Sequence, residues 1–404
     1  MSDVYSFWQF VTAPPFGPSV KGLRDDVLSV NWFVPPLSAH SGGHINLFRF
    51  AIGLEARGFQ CHITIVNDGV SPSDTPLATL KEQIQAWYGP FGGQVHYADD
   101  ELPPVHVAMA TGWQTAYRVN RFRGAALKGY FVQDFEPDFF PVGSEYAFAE
   151  ATYRMGLVGF TAGSWLATKL RGEYGMPAHA LGMSYDKALY RPAAGIASKA
   201  HQLLVYVRPE TARRGWELCL LTLANVHRAR PDIGFVLAGA ENDGKELPFP
   251  ATFAGRLTQD ELPDLYARCD AALVLSLTNL SLLPLELMAC GVPVISNRGP
   301  NVDWLLNDSN AVLCDANPDS LSRGVLQFYE LEPAKRQALS DRATAQAQRT
   351  DWEKEIDKMA SLLRATLNRH ELPGASAALL PGRAARTQTG PVAAYEGAAN
   401  LDLG

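Results

Sequence analysis

The chain has 404 residues, 47% of them hydrophobic and 19% charged, with 35 Lys+Arg set against 42 Asp+Glu for a formal net charge of −7. Length and apolar content of this order suit two ordinary domains with proper cores and exclude disorder as the main state. An acidic balance without any block of basic residues argues against an electrostatic grip on nucleic acid and fits an enzyme of small ligands, anionic ones included.

In chain order, residues 1–27 are rich in aromatics, Pro and Gly and read as an arm laid over a surface rather than a core element. The first ten residues, MSDVYSFWQF, lack the basic head and long apolar run of a secretory signal, and no stretch of 18 apolar residues follows, so the chain reads as cytoplasmic. Over 28–190, strands are predicted near 28–34, 60–66, 105–110, 128–133 and 157–161, alternating with helices near 44–57, 76–88, 144–155 and 163–174. Residues 191–200 suit a linker, and the same grammar resumes over 201–350. Strands are predicted there at 202–207, 234–239, 272–277, 293–296 and 311–314, with helices near 214–229, 260–268, 283–290 and 319–329. A closing helix over 351–371 and an Ala/Gly/Pro-rich, mobile tail over 372–404 complete the chain. Such alternation reads as parallel, doubly wound α/β sheets, two Rossmann-like units with a cleft between them. Five cysteines, at 61, 219, 269, 290 and 314, stand singly in apolar contexts and read as buried thiols.

Ligands of open α/β sheets sit beyond the carboxyl ends of strands, and four such places stand out. In PPLSAHSGGHINLFRF (35–50) a strand end is followed by Gly42, Gly43 and an amphipathic helix. Glycines there let backbone N–H groups approach an anion or a sugar, although a purely structural tight turn accounts for the pair equally well. His44 beside them reads as an acceptor contact or a helix cap. In YVRPETARRGWEL (206–218), Arg208, Arg213 and Arg214 gather where a helix starts. Cations there oppose the helix dipole, which a bound diphosphate would relieve; the alternative is a solvated charged loop.

The third place is TNLSLLPLELMACGVPVI (278–295), where Thr278, Asn279 and Ser281 form a turn before a helix carrying Glu286. Free N–H groups at that helix start suit phosphate, and a carboxylate in an apolar helix needs a partner. The reading is a nucleotide ribose, against a neighbouring backbone group or Arg side chain. The fourth is FVQDFEPDFFP (131–141), in which Asp134, Glu136 and Asp138 interleave with aromatics, suiting sugar hydroxyls and ring faces or else an acidic loop with Phe anchors. Trp113 and Tyr117 read as core or interface residues, and no His/Asp cluster calls for a metal.

The stretch LLPLELMACGVPVIS resembles the nucleotide-binding signature of GT-B glycosyltransferases of the family 4 superfamily: Glu, seven residues, Glu, then a small-residue helix and Gly-x-Pro-Val-Ile. The resemblance extends over most of 202–315 and implies a GT-B fold, with an acceptor domain first and a nucleotide-sugar domain second. It implies Glu286 on the donor ribose and Arg208 and Arg214 on the donor diphosphate. Gly255, Arg256 and Leu257, in FAGRLTQDELPDLYARCDAALVLS (253–276), would border the base, with Thr278, Asn279, Leu280 and Ser281 completing the donor site. One departure stands out: the first glutamate of the signature falls on Thr278, and loop glycines fall on Asn279 and Ser281. It points either to a different donor sugar or to an inactive relative.

The stretches NWFVPPLSAHSGGHINLFRFAIGLEARGFQCHI and GYFVQDFEPDFFPVGSEYAFAEATY are similar to bacterial rhamnosyltransferases that use dTDP-L-rhamnose, and these share the departure. Gln133 and Asp134 fall where family 4 enzymes carry a cleft-lining His. That implies a catalytic place for Asp134, with Gln133, Glu136, Gly42, Gly43 and His44 lining the cleft. The implied reaction is sugar transfer with retention to a glycan or lipid-linked glycan, without metal or cofactor beyond the nucleotide sugar, and with room for peripheral contact at the inner membrane face. A nucleotide-sugar 2-epimerase and a non-catalytic binder are the alternatives.

Overall fold

The computed structural model describes residues 2–20, 23, 26–39, 41–68, 75–192, 201–241, 244 and 246–370. Most of the expected linker and the whole expected tail lie outside the described residues.

Two all-parallel sheets organise the chain. The first joins β1 (Ser29–Val34), β2 (Gln60–Ile65), β3 (Gln94–Tyr97), β4 (Val105–Ala110), β5 (Ala125–Val132), β6 (Val158–Ala162) and β7 (Ala178–Leu181) in the order β3-β2-β1-β4-β5-β6-β7. The second joins β8 (Gln202–Tyr206), β9 (Gly234–Ala238), β10 (Thr252–Gly255), β11 (Ala271–Leu273), β12 (Val294–Asn297) and β13 (Ala311–Cys314) in the order β10-β9-β8-β11-β12-β13. The central strands β1 and β4 are buried at every position, as parallel strands covered on both faces must be, so their sequences SVNWFV and VHVAMA are nearly continuous apolar runs. In each sheet the order reverses beside the first strand, between β1 and β4 and between β8 and β11. Those two reversals place ligand crevices at the carboxyl ends of the same strands.

The helices are α1 (Ser2–Trp8), α2 (Gly42–Glu55), α3 (Leu77–Tyr88), α4 (Trp113–Arg121), α5 (Ser144–Ala151) and α6 (Ser164–Tyr174) around the first sheet. Around the second lie α7 (Trp216–Ala229), α8 (Leu262–Ala267), α9 (Leu283–Ala289), α10 (Pro300–Asp303), α11 (Pro318–Glu330) and α12 (Pro333–Gln348). The last helix, α13 (Trp352–His370), returns to the first unit, packing on α2, β5 and β7. Gly53 of α2 makes room for Ile356, whose side chain stands 2.6 Å from where a Cβ would be, and the Gly182 amide donates to Glu355 Oε2 at 2.6 Å.

Three short strands, β3, β7 and β10, were not expected from the sequence, nor was α12. The paired part of β11 ends sooner than the expected 272–277, because the Asn297 side chain takes the place of a strand neighbour. The Ser276 amide donates to Asn297 Oδ1 at 2.8 Å and Asn297 Nδ2 donates to the Ser276 carbonyl at 2.9 Å. The expected helix 144–155 is α5 followed by a 3-10 turn at Thr152–Arg154. The amino-terminal segment carries a helix and one core side chain: Phe10 is buried against Trp113 and Tyr117, themselves buried, and Arg121 donates to the Val11 and Ala13 carbonyls. All five cysteines are buried thiols. Among the described residues no helix is long and apolar enough to cross a membrane.

Candidate functional site

The carboxyl ends of β5, β8 and β11 face one another across the gap between the units. Asp134, just past β5, is the link. Its Oδ2 accepts from the Thr278 hydroxyl at 2.8 Å and its Oδ1 from the Asn279 amide at 2.7 Å. The Phe135 amide also donates to Oδ1, at 2.8 Å, fixing the side chain against its own backbone. Burial pushes the Asp134 carboxyl above its usual range, opposed by the Asn279 and Thr278 donors and by the charge of Arg214.

Asn279 uses its whole side chain in the same place. Its Nδ2 donates to the Gln133 carbonyl at 2.9 Å and the Ala162 carbonyl at 2.8 Å, while its Oδ1 accepts from Trp304 Nε1 at 3.2 Å. Trp304 lies against Gly163, where a Cβ would come within 2.9 Å of the indole. Gln133 extends the network into the loop before α2, donating to the Gly43 carbonyl at 2.9 Å and accepting from Asn46 Nδ2 at 3.2 Å. Thus Gln133, Asp134, Thr278, Asn279 and Gly43 are brought together. Leu280 is buried next to them, and the buried Ser281 hydroxyl finds no partner among the described residues.

The arginines beyond β8 form a cationic centre beside this network. Arg214 donates to Ser276 Oγ at 2.8 Å, and burial together with repulsion from Arg213 and Arg208 lowers its pKa, while the charge of Asp134 opposes the shift. Arg213 Nε stands 3.9 Å from Asp134 Oδ2, and its guanidinium lies 4.1 Å from the centre of the Phe139 ring. Arg208 is half-exposed, 3.9 Å from Glu210, which also faces Arg256 at 3.4 Å. Gly255, Arg256 and Leu257 therefore flank the same sheet end without joining the buried network; Gly255 adopts φ +70° there, and Arg256 is exposed.

Glu286 has protein neighbours. Tyr266 donates to its Oε2 at 3.4 Å, the Tyr190 hydroxyl faces it without a well-formed bond, and the positive charge of Arg49 acts on it. Burial pushes its carboxyl up to about 7, against the pull of the two phenols and Arg49. Arg49 stacks over Trp352, so Glu286 sits where α2, α9 and the start of α13 meet.

Two expected cleft residues turn inward. Glu136 opens a 3-10 turn that swings it beneath β5, where Oε1 accepts from the Tyr130 hydroxyl at 2.6 Å and Oε2 from the Trp113 amide at 2.8 Å. It serves the start of α4 and not the cleft, and burial pushes its carboxyl up to about 7. His44 is buried beside Tyr88, its amide donating to the capping Ser41 Oγ at 3.3 Å, and burial lowers its imidazole. Gly42, at the mouth of the same turn, has open space where a side chain would be. Sequence reasoning missed Asn46, Arg49, Tyr190, Tyr266, Asn301 and Trp304; Asn301 donates to the Ser276 and Thr278 carbonyls. None carries a local motif, and each acts through a contact distant in sequence.

What the site offers is a group of arginines, a polar turn with an unused hydroxyl, and a carboxylate from the opposite unit. That combination suits a ligand with both anionic and polyol parts. Residues 201–326 match the family described as WsaF, C-terminal domain. Among solved structures, the chain is similar to sucrose-phosphate synthase of Thermosynechococcus elongatus (TM-score 0.62, 14% identity, 85% of this chain and 100% of that one). It is similar also to Anabaena HepE in complex with UDP and glucose (TM-score 0.61, 14% identity, 84% and 100%) and to a point variant of S. aureus TarM with UDP (TM-score 0.66, 8% identity, 83% and 100%). The fold is GT-B. A curated relative, the O-antigen biosynthesis protein RfbC of Myxococcus xanthus, is 32% identical over 370 residues, 87% of this chain. The chain spans 28% of that relative's length.

Proposed function

We propose that this GT-B chain is a glycosyltransferase of surface-polysaccharide synthesis that moves a sugar, rhamnose, from dTDP-L-rhamnose to a glycan hydroxyl with retention. The observation that carries the reading is the gathering of Arg208, Arg213 and Arg214 at the β8 end, with Arg214 on Ser276 of the polar turn and Arg213 beside Asp134. The RfbC and WsaF likenesses and the UDP complexes of HepE and TarM support it. Rhamnose rests on the similarity of the first unit to rhamnosyltransferases.

In this reading the first unit takes the acceptor and the second the donor. The bond from the anomeric carbon to the diphosphate breaks, the acceptor oxygen bonds to that carbon, and the acceptor proton passes to the departing phosphate oxygen on the same face. Arg208 and Arg214 meet the charge that builds on the diphosphate, a preorganised role worth on the order of 3 kcal/mol per good contact. Glu286 accepts from the ribose diol, and the Ser281 hydroxyl is available to the sugar. The cleft between the units excludes the water that would hydrolyse the donor.

The test is calorimetric titration with dTDP, UDP and GDP, followed by incubation of the matching sugar nucleotides with rhamnosyl acceptors. Selective dTDP binding with acceptor-dependent release of dTDP is the expected result. Altered donor without any acceptor would make the chain an epimerase; binding without turnover on any acceptor would make it a binding relative.

A further inference from the structure

The Asp134 carboxylate does here what a bound anion does. It receives the Thr278 hydroxyl and the Asn279 amide and faces the charges of Arg213 and Arg214, all of them groups of the second unit, while its own chain belongs to the first. Among the described residues, Arg213 has Asp134 as its ion-pair partner and Arg214 has no carboxylate within ion-pair distance. Around this contact, Asn279 is tied to the Gln133 and Ala162 carbonyls and Trp304 covers Gly163, so these residues add a polar seam to the apolar cluster that the two units share.

We propose that Asp134 is a displaceable clasp: in the ligand-free protein it closes the turn 276–281 onto the first unit by taking an anion's place, and a diphosphate competes with it for the same cations and donors. The inference rests on reading this cleft as a diphosphate site. One set of donors cannot serve a carboxylate and a phosphate at once, and like charges brought together beside them repel. Binding then requires Asp134 to let go, and the apparent affinity falls by the fraction of molecules in which it has done so. A carboxylate that stayed in place to hold the donor sugar would act in the opposite direction, since its removal would weaken binding.

The experiment uses the full chain, as wild type and as Asp134→Asn, titrated calorimetrically with inorganic pyrophosphate and separately with dTDP and UDP. A dye pair on one exposed position of each unit reports the gap between them. Asp134→Asn is expected to bind pyrophosphate about tenfold more tightly, the gain that follows if about a tenth of wild-type molecules are unclasped, and to widen the gap before ligand is added. Thr278→Val, which removes a donor and leaves the carboxylate, is expected to widen the gap as well, guarding against a misfolded Asp134 variant. Equal or weaker pyrophosphate binding by Asp134→Asn, or an unchanged gap in both variants, overturns the clasp. Failure of dTDP and UDP to bind any form would instead sink the nucleotide-sugar reading, with the pyrophosphate and gap measurements still deciding the clasp.

Discussion

Glu136 and Glu286 look alike as residues: each is a carboxylate set in an apolar stretch, and burial pushes each up to about 7. Their surroundings separate them. Glu136 meets only groups of its own unit, the Tyr130 hydroxyl and the Trp113 amide, so its effect belongs to stability. Because its folded pKa is raised from 4.5 to about 7, its contribution is fully present below about 4.5 and lost as pH rises through about 7. Thermal unfolding followed from pH 4.5 to 8 should show this loss, on the order of 3 kcal/mol, beside a similar one from Glu286, and Glu136→Gln should remove about half of the combined slope. An unchanged profile in that variant would mean that other groups set the slope. Glu286 meets Tyr266, Tyr190 and Arg49, groups drawn from both units, and in the proposed reading it takes the donor ribose. Glu286→Gln is expected to weaken calorimetric dTDP binding about tenfold, near 1.4 kcal/mol; undiminished affinity would leave it a structural partner of the tyrosines. The residue types were legible in the sequence, but the direction each side chain takes was not, since a 3-10 turn at Glu136–Phe139 decides it for Glu136.

At the scale of elements, legibility followed burial. Strands such as β1 and β4, covered on both faces, announce themselves as apolar runs. Three of the four edge strands do not: β3 is QVHY, β7 is AHAL and β10 is TFAG, four residues each and interrupted by polar residues or Gly, and they become strands because a neighbour offers a ladder. The edge strand β13, AVLC, is by contrast an apolar run and was expected. For β3 the condition is Gly93, whose Cβ would lie 1.8 Å from the Cys61 carbonyl of β2. That atom is backbone and cannot step aside. Gly93→Ala should therefore destabilise the protein by about 2 kcal/mol or more in denaturant titration, in the range of overpacked sites. Gly92→Ala, where the nearest atom is a Glu55 oxygen at 3.8 Å, should stay within about 0.5 kcal/mol of wild type. Equal effects at the two positions would remove the close approach as the cause. The helix α12 escaped notice for a related reason: its sequence, PAKRQALSDRATAQAQ, buries only Leu339, Ser340, Ala343 and Ala347, a face of mostly small residues with little apolar signal.

Over the whole molecule, the doubly wound architecture and the strand-end loops were readable because they are local patterns, whereas the facing of the two units depends on pairs such as Asp134 with Thr278, far apart in the chain. The same holds for α13, whose amphipathic pattern marks a helix but not the unit it completes. Its contacts answer that. Ile356 is 2% exposed in the hollow over Gly53, Trp352 meets Phe50 edge to face, and Arg57 reaches Glu353 and Asp357. The ion pairs have exposed carboxylates and add little, so the apolar contact must carry the attachment. Truncating a buried Ile to Ala costs about 2–5 kcal/mol, depending on how far the site collapses. Because α13 packs on α2, β5 and β7, that loss should be local to the first unit. In Ile356→Ala, hydrogen exchange should therefore lose protection in α2 and β5 while β8 to β13 keep theirs. Loss confined to the second sheet would place α13 energetically with the second unit, and loss spread evenly through both would mean that the two sheets unfold as one body.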